Sequence, residues 1–443
     1  MLESPTIIIM TRPIFSSKPS LQKRSDLVVS AFNRLWEGLF TSPIHLDSSL
    51  SKQSKSLKTI LAQLTPPILQ RPASLAEALG IGIPVDEPWN LPHDQLKQWR
   101  PASLMAERLY ERMSEGALLS HSVPEDFPPK MLEEWAASWG RERAFELAKT
   151  LAQEAPLCLR ASRRIGAKTL LRELTEKSNL PVNATLSTLS PVGIRLSGYA
   201  PVMNTPTFQK GHFEIQDEGS QIMALFCLWP ELFTDLLQTT PGETRVHHAT
   251  SFEFPPTPPS ITIVDACAGA GGKTLAIADA LQGKGRVYAY DRSARKLQSL
   301  RQRATRAGLN NIQTVTVDET QQDELVSSQF SQFSKTANIV LVDAPCSGWG
   351  VLRRNPDIKW RQTDEVLNRM PVLQSELLKK YADLTAPGGR LVYGVCTFRK
   401  AETLDIVKQF LANHAHFEPE TGGFLGPSPS DGFFIQSFIR RRS

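Results

Sequence analysis

Hydrophobic positions repeat at helical spacing through the first third of the chain. Apolar residues recur every three or four positions within residues 28–39, 104–113 and 131–139, and Pro101 marks one of the joints between such stretches. One apolar stripe per helix is typical of packing against a core. Residues 1–150 are therefore predicted to form a helical domain, and the pattern identifies no functional site in it.

The pattern changes after Pro156, where short apolar runs alternate with turns. The runs at residues 192–196 and 213–216 predict strands, so residues 151–238 are predicted to form a small α+β module. The module opens with basic side chains that are able to contact phosphate groups, although a solvated helix face is the simpler explanation: Arg160, Arg163, Arg164, Lys168 and Arg172.

A segment rich in proline, threonine and histidine, residues 239–260, is predicted to connect this module to the rest of the chain. It contains His247 and His248. Adjacent side chains of an extended loop point in opposite directions, and no third ligand is evident, so no metal site is expected there.

From residue 261 to residue 443 the pattern alternates between buried strands and helices. The predicted strands are almost wholly apolar and lie at residues 261–266, 286–291, 312–318, 338–344 and 390–397. Such runs indicate a parallel sheet covered by helices on both faces, the doubly wound α/β architecture. Ligands bind at the carboxyl ends of the strands in this architecture, so these ends are where chemistry is expected.

Composition narrows the class of protein. The five cysteines are odd in number and lack metal-ligand spacing, which disfavours a disulfide framework or a zinc site and leaves thiols for chemistry. No window approaches the roughly 20 apolar residues of a membrane span, and the apolar run at residues 7–10 is too short for a secretory signal. We therefore expect a cytoplasmic protein that does not associate with membranes, and a monomer by default.

A glycine-rich loop follows the first predicted strand of this region. The sequence from Asp265 to Thr274 leads into a helix expected to begin near Leu275, where free backbone N–H groups are able to hold a carboxylate or phosphate. A P-loop would place glycine where Cys267 stands, so a nucleotide triphosphatase is disfavoured. Asp291 ends the second strand, where an acid either accepts the hydrogen bonds of a ribose diol or caps a helix. The combination favours a cofactor that contains adenosine.

Two cysteines follow the fourth and fifth predicted strands. Cys346 lies in the sequence Asp343-Ala-Pro-Cys-Ser-Gly, and Cys396 follows Gly394-Val395. Both are expected at the same edge of the sheet, where a thiolate is able to add to carbon 6 of a pyrimidine and make carbon 5 nucleophilic. These residues alone do not decide which cysteine is the nucleophile.

The chain from about residue 130 to residue 443 resembles the RsmB/Sun family of RNA cytosine carbon-5 methyltransferases. The motifs that carry the resemblance are 155–160, 213–221, 343–348, 353–360, Gln374, 387–389 and 431–434. The resemblance implies a Rossmann-like class I methyltransferase domain that uses S-adenosylmethionine, preceded by a small RNA-binding module. The helical residues 1–150 would correspond to the NusB-like domain of bacterial members.

The resemblance also implies roles for individual residues. Cys396 would be the nucleophile, Cys346 would assist release of the methylated base, and Asp343 would hydrogen-bond the cytosine ring near the methyl donor. Asp291 would hold the ribose and Asp318 the adenine amino group. The methionine part of the cofactor would lie against Cys267, Ala268, Gly269, Ala270, Gly271, Gly272 and Lys273. The substrate would be RNA, with 16S ribosomal RNA favoured over transfer RNA.

Three departures from the family pattern motivate an alternative. Gly269-Ala270 stands where members have Ala-Pro, Val395 stands where they have threonine, and residues 399–404 keep only Glu402 of the usual acidic segment. A catalytically impaired RNA-binding ribosome assembly factor is therefore the second hypothesis, although both cysteines are present. An NAD-dependent oxidoreductase on the same sheet would leave the Asp-Ala-Pro-Cys sequence unexplained.

Overall fold

The computed structural model describes residues 127–177, 183–198, 200–244, 254–256, 260–317, 334–356 and 358–442. These residues divide into two compact units, one of residues 127–154 with Leu352–Thr363, and one of Ala155–Val351 with the chain from Asp364 onward. The helices predicted before residue 127, together with Asp318, His247 and His248, lie outside the described residues.

Helices and strands alternate along most of the described chain. The helices are α1 Pro129–Trp139, α2 Arg141–Leu151, α3 Ala167–Lys177, α4 Pro206–Gln209, α5 Glu218–Phe226, α6 Gly272–Ala280, α7 Ala294–Ala307, α8 Ile358–Arg361, α9 Asp364–Ala382 and α10 Leu404–Asn413. The strands are β1 Leu157–Ala161, β2 Ala184–Leu186, β3 Gly193–Leu196, β4 Phe213–Ile215, β5 Gly242–Glu243, β6 Ile261–Asp265, β7 Gly285–Asp291, β8 Ile312–Thr316, β9 Ala337–Asp343, β10 Thr385–Val395, β11 Phe417–Leu425, β12 Pro427–Ser428 and β13 Phe433–Arg440.

The first unit contains α1, α2 and the short helix α8. The apolar stripe predicted at residues 131–139 lies on α1, where Met131 and Trp135 are buried and the Trp135 ring packs 5.8 Å from that of Phe127. Lys359 of α8 places its Nζ 4.1 Å from the centroid of the Phe127 ring. Residues 352–363 therefore fold with the helices that precede residue 155, an association that the sequence pattern does not indicate.

The small module predicted after Pro156 begins with a four-stranded sheet. Its strand order is β2-β3-β1-β4, and every neighbouring pair is antiparallel. Helix α3 covers the sheet with Leu170 and Leu174, which are buried against Leu159 and Ile194. Helix α5 then leads into the core of the larger sheet. The module and the methyltransferase-like region belong to the same compact unit.

A seven-stranded sheet forms the centre of the second unit. Its order is β11-β13-β10-β9-β6-β7-β8, and all pairs are parallel except the two made by β13. The five strands predicted from buried apolar runs are all present, which confirms the Rossmann-like α/β prediction. The central strands are fully buried because helices cover both faces of the sheet, as Val264, Leu341 and Val392 show.

The structure also differs from the sequence prediction. Helix α6 begins at Gly272 rather than near Leu275, because Gly271 takes a left-handed conformation that ends the loop there. Strand β5 lies within the segment predicted as a connector and pairs with β12. Strands β11 and β13 extend the sheet beyond the five predicted strands. None of the described helices has the length and apolar character needed to cross a membrane.

Candidate functional site

The loop between β6 and α6 has a shape that depends on glycine. Gly271 has φ +89°, and a Cβ there would lie 2.4 Å from Cγ of Leu300. Gly269 also has a positive φ, +55°, but a Cβ there would meet nothing within 4 Å. The loop therefore packs against α7 on one side and leaves open space on the other. The residues predicted to bind the methionine part of a cofactor, 267–273, all lie in this loop or in the first turn of α6.

Asp291, at the end of β7, fixes the same loop. One of its carboxylate oxygens, Oδ2, accepts a hydrogen bond from the backbone N–H of Gly269 at 2.8 Å, and the other, Oδ1, accepts one from Ser293 N at 2.7 Å. Each oxygen has a second lone pair. Asp291 therefore ties the cofactor loop to Ser293, the residue that caps α7, and its ribose role stays a prediction.

Asp265 lies beneath the loop and is a site residue that the sequence prediction did not name. It is buried, and its Oδ2 accepts a hydrogen bond from Thr274 Oγ1 at 2.6 Å. Burial raises the pKa of Asp265 to about 7. The contact ties the last residue of β6 to the first turn of α6, so it supports the loop from below. An acid at a strand end followed by a threonine in the next helix is the signal that could have identified it.

A partly buried ion pair joins α6 to the end of β9. Lys273 Nζ lies 2.6 Å from Asp343 Oδ2, and the Lys273 side chain is 12% exposed. Burial alone would lower the pKa of Lys273, but the Asp343 carboxylate more than offsets it, so the pKa lies above its usual value. The same Nζ is 5.4 Å from the centroid of the Phe433 ring. A fixed positive charge therefore lies beside Asp343 at the carboxyl edge of the sheet.

The two cysteines predicted at this edge are in contact. Cys346 Sγ and Cys396 Sγ are 3.3 Å apart, and both residues are partly buried. They meet because β9 and β10 are adjacent and parallel, with Asp343 opposite Gly394 in the register. The pKa of Cys346 lies well above its usual value because of its hydrogen bond with Cys396 and because it is buried.

Backbone and hydroxyl contacts hold the segments that carry the two thiols together. Gly350 N donates to the carbonyl oxygen of Cys396 at 2.9 Å. The hydroxyl oxygens of Ser347 and Thr397, each next to one of the cysteines, are 2.7 Å apart and buried. Their partnership was not predicted, because neither residue has a distinctive spacing in the sequence. The thiol pair thus lies on a rigid edge of the sheet.

The basic residues of the small module separate into two groups. Arg160 is buried on β1, with its Nε 2.7 Å from Gln216 Oε1 and its NH1 3.3 Å from Asp279 Oδ2, so both expectations for it, a solvated helix face and a phosphate contact, are wrong. Its carboxylate and amide partners are distant in the sequence and satisfy its charge inside the protein. Arg164, Lys168 and Arg172 are exposed.

The chain matches known proteins over the region just described. Residues 256–431 match the family model of the 16S rRNA methyltransferase RsmB/F. The chain is 31% identical over 333 residues to a probable ribosomal RNA small subunit methyltransferase B from Synechocystis, covering 70% of this chain and 66% of that protein. It is 29% identical over 293 residues to a protein of the same name from Bacillus subtilis, covering 66% of this chain and 57% of that protein.

Two solved structures share the fold. The structure of NSun6 from Pyrococcus horikoshii with SFG has a TM-score of 0.56 at 18% identity, covering 72% of this chain and 99% of that one. A methyltransferase homolog protein from Pyrococcus horikoshii has a TM-score of 0.52 at 22% identity, covering 71% of this chain and 99% of that one. The family model matches across the cofactor loop and both cysteines, and the relative from Synechocystis extends the match over most of the chain. The chain therefore belongs to the RsmB/Sun family of methyltransferases.

Proposed function

We propose that this protein transfers a methyl group from S-adenosylmethionine to carbon 5 of a cytosine in RNA, with small-subunit ribosomal RNA the favoured substrate. The observation that carries the proposal is the thiol pair, with Cys346 and Cys396 sulfur atoms 3.3 Å apart. A methyl donor alone is insufficient for this reaction, because carbon 5 of cytosine is a weak nucleophile until a thiolate adds to carbon 6. The chain spans about 57% to 66% of the length of the two curated relatives named above.

The cofactor loop fits the proposed methyl donor. The open side of Gly269 and the free N–H groups at the start of α6 offer space and hydrogen bonds to a carboxylate, and Asp291 offers oxygens to a ribose. S-adenosylmethionine, when bound at this loop, supplies an electrophilic methyl group. The role proposed for Asp318 at the adenine concerns a residue outside the described part of the chain.

The two thiols take different parts in the reaction. The assignment of roles follows the family resemblance, in which the cysteine after β10 is the nucleophile and the cysteine after β9 assists release. Cys396 is then the sulfur that adds to carbon 6, forming a carbon–sulfur bond and moving the electron pair of the ring double bond toward carbon 5. Carbon 5 then bonds to the methyl group, whose bond to the donor sulfur would break and leave S-adenosylhomocysteine. Asp343, held by Lys273, hydrogen-bonds the cytosine ring during these steps.

Release reverses the addition. Carbon 5 loses its proton to solvent water, the electron pair of that carbon–hydrogen bond re-forms the double bond, and the carbon 6–sulfur bond breaks with its electron pair returning to Cys396. Cys346 is placed to assist this step, because a thiol 3.3 Å from the departing sulfur can donate a hydrogen bond to the thiolate that forms. Loss of Cys346 should therefore leave addition possible and slow the elimination.

RNA as the substrate class is supported by the relatives and by the module. The relatives from Synechocystis and Bacillus subtilis are named for ribosomal RNA of the small subunit. Arg164, Lys168 and Arg172 are exposed on the small module and are able to contact phosphates. The identity of the modified nucleotide follows from neither observation and is a matter for experiment.

The direct test is transfer of labelled methyl groups from S-adenosylmethionine to unmodified transcripts of small-subunit ribosomal RNA, large-subunit ribosomal RNA and transfer RNA. We expect label in 5-methylcytosine for the wild type, with small-subunit RNA as the preferred acceptor, and none for Cys396→Ala. Cofactor binding without label on any transcript would contradict the proposal and favour the catalytically impaired assembly factor.

A further inference from the structure

Glu402 is a buried carboxylate between the two segments that carry the thiols. It lies in the 3₁₀ turn Lys400–Glu402 that follows β10, and its side chain is wholly buried. One carboxylate oxygen, Oε2, accepts hydrogen bonds from Ser347 N at 2.9 Å and from Gln374 Nε2 at 2.8 Å. A buried carboxylate is costly unless its oxygens are paired, so contacts of this kind specify one arrangement of the surrounding chain.

The other side of Glu402 anchors it to the sheet and to α9. Its second oxygen, Oε1, is 3.0 Å from NH1 of Arg399, which also donates to the carbonyl oxygen of Leu367 at 2.8 Å. The hydroxyl of Tyr393, on β10, donates to the backbone oxygen of Glu402 at 2.8 Å. The carboxylate is thereby fixed relative to β10, the strand that ends just before Cys396.

Glu402 and its partner Gln374 make hydrogen bonds to the residues on both sides of Cys346 in the chain. Ser347 N belongs to the residue after Cys346, and Gln374 Nε2 also donates to the carbonyl oxygen of Pro345, the residue before it, at 2.8 Å. Both neighbours of Cys346 are therefore tied to one carboxylate–amide unit that is itself anchored to the strand leading to Cys396. None of these contacts involves a sulfur atom, so the unit acts on the thiols through their positions.

We propose that Glu402 is a positioning residue that, together with Gln374, holds Cys346 at contact distance from Cys396 and so sets the rate at which the enzyme–RNA adduct resolves. The effect of Glu402 on resolution of the adduct rests on the proposed function. Its structural part, the restraint of Cys346, stands without any RNA.

The negative charge of Glu402 lowers the reactivity of the Cys346 thiol, as the restraint of its position does. The charged and titratable groups around Cys346 are Cys396, Glu402 with its partner Arg399, and Tyr393. The pKa of Cys346 is raised by its hydrogen bond with Cys396 and by burial, and the negative charge of Glu402 adds to the rise. Removing the carboxylate would both loosen the segment and favour the Cys346 thiolate, and each change makes Cys346 more reactive toward an electrophile.

The first test needs no substrate. The protein is treated with iodoacetamide, and alkylation of each cysteine is followed by peptide mass spectrometry in the wild type, Glu402→Gln and Gln374→Leu. We expect Cys346 to react about 10-fold faster in Glu402→Gln, and by a smaller factor in Gln374→Leu, which loosens the segment without changing its charge. The buried residues Cys158 and Cys227 serve as internal standards for general unfolding.

Glu420→Gln is the matched control. Glu420 pairs with Arg390 through contacts of 2.7 and 2.9 Å on strands β11 and β10, so the control removes a carboxylate–arginine pair elsewhere on the same sheet. We expect its Cys346 to react as in the wild type. Unchanged Cys346 reactivity in both Glu402→Gln and Gln374→Leu, or a rise matched by Cys158 and Cys227 in both variants, would overturn the inference.

The second test uses RNA and separates this inference from the proposed function. With a methylated transcript identified, Glu402→Gln should lower kcat by about 10-fold, leave the KM for RNA unchanged and accumulate the covalent adduct on denaturing gels. Lower kcat without adduct would contradict the positioning role in catalysis. If the wild type methylates no RNA but Cys346 alkylation follows the expected pattern, the proposed function fails while the restraint of Cys346 is upheld.

Discussion

The cofactor loop and the cysteine pair lie on the same edge of one sheet but are built in different ways. The loop between β6 and α6 is a continuous segment whose shape comes from backbone conformation, with Gly271 in a left-handed conformation against Leu300. The cysteine pair joins two strand ends and depends on side chains from a third element, including Gln374 of α9. One region is therefore specified locally and the other by tertiary contacts, so the two should respond separately to substitution.

Cys396→Ala should give the largest difference between the effect on methyl transfer and the effect on cofactor affinity. Removing the proposed nucleophile should reduce methyl transfer on the order of 10³-fold or more, because no other group replaces covalent activation of the ring. Affinity for S-adenosylmethionine, measured by calorimetry, should stay within about two-fold, because the cofactor loop is built without this residue. Cys158→Ala, at a buried cysteine on β1 of the small module, is the control and should retain transfer. Comparable loss in both variants would contradict the separation.

Lys273→Met should, unlike Cys396→Ala, weaken cofactor binding. It leaves Asp343 without its partner at 2.6 Å and removes the positive charge at the start of α6. We expect affinity for S-adenosylmethionine to fall by roughly 10- to 100-fold, in the range of one broken partly buried ion pair. Lys284→Met is the matched control, because this lysine is exposed and immediately precedes the first residue of β7, away from the carboxyl edge of the sheet. Equal affinities for the two variants would show that the ion pair does not shape the cofactor site.

A pair of glycine substitutions tests whether the loop is specified by its backbone. Gly271 and Gly283 both have positive φ, +89° and +79°, but a Cβ at Gly283 would meet nothing within 4 Å. Gly283→Ala should cost about 1 kcal/mol from conformation alone, and Gly271→Ala at least about 3 kcal/mol because the clash with Leu300 adds to it. Chemical denaturation measures both. Equal losses in the free energy of unfolding would mean that Leu300 of α7 moves aside without cost.

The smallest expected effect lies at the hydroxyl pair beside the thiols. Ser347 Oγ and Thr397 Oγ1 are 2.7 Å apart and buried, so Ser347→Ala and Thr397→Val should each destabilise the protein modestly. A double-mutant cycle should give a coupling of about 1 kcal/mol, the usual net contribution of one buried hydrogen bond. Additive effects would show that the pair does not connect the two segments energetically.

The sequence predicts best what is local. The five predicted apolar runs became β6, β7, β8, β9 and β10, and the central strands β6, β9 and β10 show in their own composition that they are covered on both faces. Strand β11 was not predicted, since residues 418–420 are exposed and Gly422 and Gly423 interrupt any alternation. The start of α6 was misplaced by three residues because glycines are poor helix formers, whereas here Gly271 fixes the boundary.

Long-range partners account for what the sequence did not predict. Arg160 belongs to a run of basic residues for which the sequence favours a solvated helix face over phosphate contacts, yet it is buried on β1 with Gln216 and Asp279 as its partners. The cysteines could be placed at one edge from strand order, but their contact depends on Glu402 and Gln374, whose roles appear only when α9 and the turn after β10 pack together. The spacing of residues in the sequence does not predict contacts between segments that meet only in the folded protein.

The most direct test of the account identifies which sulfur bonds to the RNA. Cys346→Ala and Cys396→Ala are each incubated with S-adenosylmethionine and the methylated transcript, digested with nuclease and protease, and examined by peptide mass spectrometry. The account predicts a methylcytidine adduct on the Cys396 peptide of Cys346→Ala and no adduct in Cys396→Ala. An adduct on Cys346 in Cys396→Ala, with none in Cys346→Ala, would contradict it.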